Sequence, residues 1–419
     1  MRIAATGFVS EQAGSVASAN ALFLRDLLAR GHQIDFFSKA SFVDPRPAVG
    51  EHPGFRFHDC TNGMADRFRR RVERIPLVGF AAGRWDCWSY VDLLRARMER
   101  EHRAVSRAFD LILWLGDYAW RRVDGVPQVS FVQGPPGTDA RSLLTRFPEV
   151  RRVAGLGTAL KFALLARVRL SRPGLPPFRR TDHFIVGSGQ SKRTLVERYR
   201  IPGERVTTLP YPIDLNLFRL EMNALGLQSP YSGLRILWLG RVVPRKRLDL
   251  FLDGAALAIR DGVDLRLTIV GGIGLVPGYG KLIAAFPFPE RLEWIRSVPR
   301  AEVPAWLHRH DVLCQPSDEE NFGSSVAEAQ ACGLPVIVGR TNGNADYLCS
   351  RDTHLADDRP ETLASVFRDY AERKRIGGEA WGDPAGSRAL AEREFAVEAV
   401  VERLEEMLRA VDVASGRKL

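Results

Sequence analysis

The chain has 419 residues, too many for one ordinary hydrophobic core and enough for two α/β domains of roughly 200 residues each. Hydrophobic residues at 45% and charged residues at 26% exclude a globally disordered chain. The net charge of +10 is uneven: residues 1–200 hold 33 Lys+Arg against 19 Asp+Glu, and residues 201–419 hold 27 against 31.

A basic first half suits an anionic membrane surface or an acidic acceptor. No zinc knuckle or aromatic-basic motif accompanies it, so nucleic acid is not an expected partner. Five cysteines, Cys60, Cys87, Cys314, Cys332 and Cys349, form no CxxC pair, which points to reduced thiols. The N-terminus turns polar too early for a signal peptide, and no apolar run is long enough to span a bilayer. A cytoplasmic protein is expected, with peripheral attachment to the inner face of the membrane as its one route to lipid.

In chain order, 2–5 reads as a strand, Ala13-Gly14-Ser15 as a small-residue loop, and the following segment as a helix with Leu24, Leu27 and Leu28 on one face. Gly31 closes that helix, and 33–37 is the next strand. Short apolar strands recur at 111–115, 129–132 and 184–186, separated by helical or loop stretches, which is the pattern of a parallel sheet. Segment 151–180 is apolar and basic with no acid. It reads as a packing helix with Leu160, Phe162, Leu164 and Leu165 turned into the first domain, followed by a Pro-rich connector. Segment 67–85, with Arg69, Arg70 and Arg71, is similar in character and reads as a solvated basic loop.

The alternation breaks at Pro210-Tyr211-Pro212-Ile213-Asp214 and resumes after Gly233. Strands are expected at 234–239, 265–270, 292–295, 312–315 and 335–338, with helices at 248–260, 303–310 and 324–332. From Glu392 to Val411 the apolar spacing is that of one long terminal helix. The expected fold class is α/β, with two Rossmann-like doubly wound parallel-sheet domains facing a central cleft. Their bounds are 1–212 and 213–390, and a terminal helix at 391–414 is free to return to the first domain.

Chemistry concentrates in three places. Pro316 to Glu328 is a loop running into a helix, where Gly323, Ser324 and Ser325 suit an open N-terminus that favours an anion. Glu320 and Glu328 flank that turn; beside an anion site two carboxylates suit uncharged sugar hydroxyls. Directly after the 234–239 strand, Gly240-Arg241-Val242-Val243-Pro244-Arg245-Lys246 carries Arg241 and Lys246, cations able to grip a diphosphate and stabilise it as a leaving group. Ile269-Val270-Gly271-Gly272 ends a strand in glycines that let backbone approach a ligand.

Together these elements resemble the retaining glycosyltransferases of the GT-B fold, family 4, also described as group 1. The resemblance spans almost the whole chain and is specific in its second half. It implies that Arg241 and Lys246 hold the donor diphosphate, that Glu328 binds the ribose, and that Glu320 lies against the transferred sugar. It further implies that Asn321, Phe322 and Gly323 occupy a turn whose backbone N–H groups meet donor hydroxyls, that Gly240 and Ser324 also bind the donor, and that Gly14 lies near the phosphates. Where many members carry a histidine beside the reacting sugar, this chain has Gln133, which cannot act as a base; Arg247 replaces a common glycine.

The expected reaction is metal-independent transfer of a sugar, with retention, from a nucleotide diphosphate sugar to a saccharide or lipid-linked acceptor, in the synthesis of surface polysaccharide or glycolipid. No cofactor is expected, and the sequence has no Asp-x-Asp pair for a divalent ion. The rival readings are a sugar-nucleotide-binding paralogue without catalysis and another GT-B enzyme such as a nucleotide-sugar epimerase.

Overall fold

The computed structural model describes residues 1–11, 14–38, 44–59, 109–116, 118–119, 122–123, 125–171, 178–221 and 231–414. Segment 67–85 and the cysteines at 60 and 87 lie outside them.

The first lobe is a seven-stranded parallel sheet: β1 (Arg2–Gly7), β2 (Gln33–Ser38), β3 (Phe55–Asp59), β4 (Leu111–Leu115), β5 (Gln128–Phe131), β6 (His183–Val186) and β7 (Val206–Thr208), in the order β3-β2-β1-β4-β5-β6-β7. The second is a six-stranded sheet: β8 (Leu234–Leu239), β9 (Leu265–Val270), β10 (Leu292–Ile295), β11 (Val312–Gln315), β12 (Val336–Val338) and β13 (Thr353–His354), in the order β10-β9-β8-β11-β12-β13. Central strands such as β4 are buried along their whole length, because helices cover both faces of a doubly wound sheet. In each lobe the strand order reverses beside the first strand, between β1 and β4 and between β8 and β11. Such reversals open a crevice at the carboxyl ends of the strands.

The first helix, α1 (Gly14–Ala29), buries Phe23, Leu24, Leu27 and Leu28 against the first sheet. It ends as the sequence requires: Gly31 N–H donates to the Leu28 carbonyl at 2.9 Å and His32 N–H to that of Leu27 at 3.1 Å, a Schellman closure. Three further helices, α2 (Thr138–Thr145), α3 (Phe147–Ala154) and α4 (Leu156–Leu170), leave the first lobe for the second. Their Leu143, Val150, Val153, Ala159 and Ala166 share one core with Leu234, Trp238, Val276 and Tyr279. The inward residues of α4 are alanines, which let it lie close to α2. Leu160 and Leu164, expected to point into the first domain, are therefore left outside, 55% and 63% exposed.

In the second lobe α5 (Leu248–Arg260) packs under α7 (Pro360–Ile376), and α6 (Ser324–Ala331) lies between β11 and β12 in sequence. The terminal segment is not the single helix expected from Glu392. It is two, α8 (Pro384–Phe395) and α9 (Val397–Ala414), divided at Ala396, whose ψ of 137° is extended. The break serves the crossing between lobes: Ile213 N–H donates to the Phe395 carbonyl at 2.8 Å, and Ile213 bridges Ala396 in parallel. Beyond it Val400, Val401, Leu404 and Leu408 join the core that contains α1, and Arg30 donates to the Glu398 carbonyl at 2.9 Å. The bilobed body is thus sewn twice.

One close approach at the cleft leaves no room for a side chain. Gly271, at φ +158°, would place a Cβ 1.8 Å from the Gly240 carbonyl oxygen. Gly271→Ala is expected to lower the unfolding free energy by about 3 kcal/mol, since backbone strain adds to the collision. A urea midpoint equal to that of the wild type would contradict this packing.

Candidate active site

At the carboxyl ends of β8 and β11 the chain leaves the sheet as two loops that meet. After β8 come Gly240 and Arg241, and a short turn, Pro244–Lys246, carries Arg245 and Lys246 back toward β11. After β11, Asp318 to Gly323 form a loop tied to the next one: Gly343 N–H donates to the Glu320 carbonyl at 2.9 Å, and Asn344 Nδ2 donates to the Gly323 carbonyl at 2.8 Å.

These anchors place the Glu320 carboxylate under the cations. Its Oε2 accepts from Arg245 Nη1 at 2.8 Å and lies 2.5 Å from Lys246 Nζ. Burial opposes the charge on Glu320, but Arg245 and Lys246 outweigh it and hold the carboxyl down at about 2. Lys246 is pulled below its ordinary value by burial, and Glu320 pulls it back. Its Nζ also donates to Gln315 Oε1 at 3.3 Å. Arg245 also reaches α2, where its Nε donates to Asp139 at 2.7 Å. Arg241 is exposed and forms no ion pair among the described residues.

Helix α6 begins after Gly323, and no side chain caps its first turn. Its Glu328 is buried, with one charged partner: Arg300 Nη1 donates to Oε1 at 2.9 Å. Burial raises the pKa of Glu328, and Arg300 acts against that. A cleft of 510 Å³ is lined by Gly240, Arg241, Lys246, Glu320, Asn321, Phe322, Gly323, Ser324 and Glu328, and on the first-lobe side by Gln133, Tyr211, Val16 and Ala17. Gly14 is the first residue of α1, the helix that supplies Val16 and Ala17. A second cavity of 270 Å³ adjoins it, lined by Gln133, Thr138, Arg169, Arg241 and Arg245 with Asp139, Glu319 and Glu320.

The structure gathers Gly240, Arg241, Lys246, Glu320, Asn321, Phe322, Gly323, Ser324 and Glu328 on one cleft, and Gly14 is not among the described residues that line it. Asn321 directs its side chain to the other lobe: Oδ1 accepts from Gly187 N–H at 3.1 Å, and Nδ2 donates to the Val132 carbonyl at 3.2 Å and to Tyr211 Oη at 3.0 Å. Phe322 is buried among Tyr211, Tyr347 and Phe395, with ring centroids 5.4, 5.9 and 5.3 Å away. Only the backbone of these two residues can serve a ligand in the cleft. Gly187 is required by the same approach, because a Cβ there would meet that of Phe322 at 2.7 Å. Glu320, expected against sugar hydroxyls, spends one oxygen on cations. Sequence reasoning missed Arg245 and Arg300. The first sits between two residues it singled out; the second is 28 positions before Glu328, with no local signal.

Comparison with known proteins agrees with this layout. The family model of "Glycosyltransferase Family 4" matches residues 19–217, and that of "Glycosyl transferases group 1" matches residues 228–379. A D-inositol 3-phosphate glycosyltransferase of Thermobispora bispora is 26% identical over 331 residues, covering 76% of this chain and 72% of that one. One from Jonesia denitrificans is 33% identical over 176 residues, 40% and 41% of the two chains. Among solved structures, Anabaena HepE in complex with UDP and glucose superposes with a TM-score of 0.61 at 15% identity, covering 98% of this chain and all of the other. Sucrose-phosphate synthase of Thermosynechococcus elongatus gives 0.66 at 15% identity, covering 99% of this chain and 100% of its own.

The depressed carboxyl of Glu320 fixes an acid response. Such a group contributes stability above its ordinary pKa of about 4.3, and that contribution is lost as pH falls toward about 2. Glu320→Gln leaves Lys246 without its carboxylate partner and Arg245 with Asp139 alone, so it is expected to cost about 3 kcal/mol at neutral pH. The gap between wild type and variant should narrow on acidification below about pH 4. Denaturation curves at a series of pH values check this, and a constant gap would refute the ion triad.

Proposed function

Because the chain belongs to the group 1 glycosyltransferases of the GT-B fold, we propose that its cleft binds a nucleotide diphosphate sugar and transfers the sugar, with retention and without a divalent metal, to a hydroxylated acceptor bearing an anionic group. The observation that carries this reading is the convergence of Arg241, Lys246, the uncapped start of α6 and the buried Glu328 on one cleft.

In this reading the diphosphate lies between Arg241 and the first turn of α6, where a cation and unpaired backbone N–H groups both face it. Lys246 adds a second positive charge, kept ionised by Glu320. Gly240 lets the strand end approach the phosphates, and the start of α1 at Gly14 faces them from the other lobe. Backbone N–H groups of Asn321 to Ser324 meet donor hydroxyls, and Glu328, oriented by Arg300, accepts from the ribose. The bond between the anomeric carbon and the diphosphate oxygen breaks, and the acceptor oxygen bonds to the same face. The acceptor proton passes to the departing diphosphate. The cations stabilise the charge as it develops, which is where preorganised donors contribute most to rate.

The relatives' names specify an inositol phosphate, and the adjoining cavity presents Arg169 and Arg241. Both support an anionic acceptor, whether a phosphorylated polyol, an acidic saccharide or a lipid-linked glycan of the cell surface. The described cysteines, Cys314, Cys332 and Cys349, are free thiols, in keeping with a cytoplasmic site of action. One observation favours a second reading, a binding protein without catalysis: Gln133, which cannot take a proton, stands in both cavities. Nucleotide release that rises on adding acceptor separates the two.

Arg241→Ala should lower turnover by about 10²- to 10³-fold with an unchanged melting temperature, the scale for one preorganised donor. Glu328→Ala should instead raise the donor Kd by roughly tenfold to a hundredfold, as for hydrogen bonds to a charged group. Equal effects of both variants on turnover and on donor Kd would remove the division of roles.

Transfer is also expected to persist in excess EDTA, since side-chain cations do the work of a metal in this reading. Activity lost to chelation and restored by magnesium would overturn that part of it.

A further inference from the structure

We propose that the outer face of α4 docks on an anionic lipid bilayer. The helix has its large and small residues the wrong way round for a solvent-facing element. Ala159, Ala163 and Ala166 are buried, whereas Leu156, Leu160, Leu164 and Val168 are 55%, 55%, 63% and 46% exposed. Their spacing of four residues stacks them as one ridge along the helix. Of the eight large apolar side chains exposed among the described residues, four belong to this ridge. Among the described residues neither lobe covers it, and the helix's inner side packs on the core that contains Leu234, Trp238 and Tyr279.

The charges beside the ridge choose the occupant. Lys161 and Arg167 flank it, and Arg151 projects from the preceding helix; all three are exposed, and none forms an ion pair among the described residues, whereas the neighbouring Arg152 faces Asp253 of the second lobe. No acidic residue occurs between Glu149 and Asp182. A second copy docking on this face would bring two such unpaired sets of cations together. A globular partner needs about 800 Å² of matched surface, and the ridge is a single strip about 22 Å long for 15 residues at the helical rise. An acidic bilayer offers apolar depth and negative head groups at once, and an amphipathic helix lying in its boundary needs no more. No helix among the described residues is long and apolar enough to cross a membrane, so the attachment is interfacial.

Docking also orients the molecule. Arg169, on the same helix, lines the smaller cavity beside Arg241. The lipid surface and the opening into the cleft are thus a helix apart. The inference does not depend on the transfer reaction, and its test reads no turnover.

The test is co-sedimentation of the full chain with vesicles of phosphatidylcholine alone and of phosphatidylcholine containing phosphatidylglycerol. The wild type should bind the anionic vesicles, less so at high salt, and the neutral ones weakly. Leu160→Ser with Leu164→Ser should lower the anionic partition coefficient on the order of tenfold or more, from lost apolar burial. Lys161→Ala with Arg167→Ala should lower it on the order of tenfold, from lost attraction to head groups. Both double variants should keep the wild-type circular dichroism and melting temperature, because all four side chains are exposed. Absence of vesicle binding, equal binding to neutral and anionic vesicles, or undiminished binding by the leucine variant would overturn the proposal. So would a wild-type oligomer, seen by light scattering, that the leucine variant dissolves and that binds no vesicle.

Discussion

The cleft rests on one buried carboxylate. Glu320 lies beneath Arg245 and Lys246, and without it Lys246 would stand desolvated with no carboxylate partner among the described residues and Arg245 would keep Asp139 alone. Its position is set by backbone, through the Gly343 N–H bond and the bridge to Asn342, so the negative charge cannot swing away. Because Arg245 continues to Asp139, the triad extends across the cleft into the other half of the chain. Arg241, left out of this compensation, is the charge that remains for an incoming anion.

That crossing is one of several, and they make the two lobes mutually dependent. Helices α2 to α4 come from the first half of the sequence yet complete the core of the second lobe, and Arg146 pairs with Asp318 at 2.6 Å. Helix α9 makes the opposite journey. The loop after β11 is itself held by the first lobe, through Asn321 on Gly187, Val132 and Tyr211 and through Phe322 against Tyr211. A change in the first lobe at Tyr211 or Gly187 would thus reach the backbone N–H groups of the turn without touching a ligand.

Much of this was legible in the sequence, for reasons that also explain the gaps. Strands such as β4 and β8 are buried on both faces and read as unbroken apolar runs. The strands that escaped, β3, β7 and β13, are sheet-edge elements: β3 is mixed in burial, and β7 and β13 are three and two residues long. The residues singled out after β8 and β11 lie on one cleft because topology brings the ends of those central strands together. What periodicity does not carry is the identity of the facing surface. It marked α4 as half apolar, but whether the leucines or the alanines turn inward depends on how closely α2 approaches. The same limit hid the break at Ala396, which is set by a bridge to Ile213 and not by any helix-breaking residue.

The two glutamates show how far position within one motif can diverge in chemistry. Glu320 faces two cations and is held at about 2, whereas the buried Glu328 faces one among the described residues and is raised from its ordinary value by its burial. Environments that push paired titratable groups apart assign them different work. A carboxylate locked in its ionised form suits permanent neutralisation of neighbouring cations. A buried carboxyl with Arg300 as its one charged partner among the described residues has acceptor capacity left for polar hydrogens. In the proposed reading, ribose hydroxyls supply the hydrogen bonds that the fold withholds from Glu328.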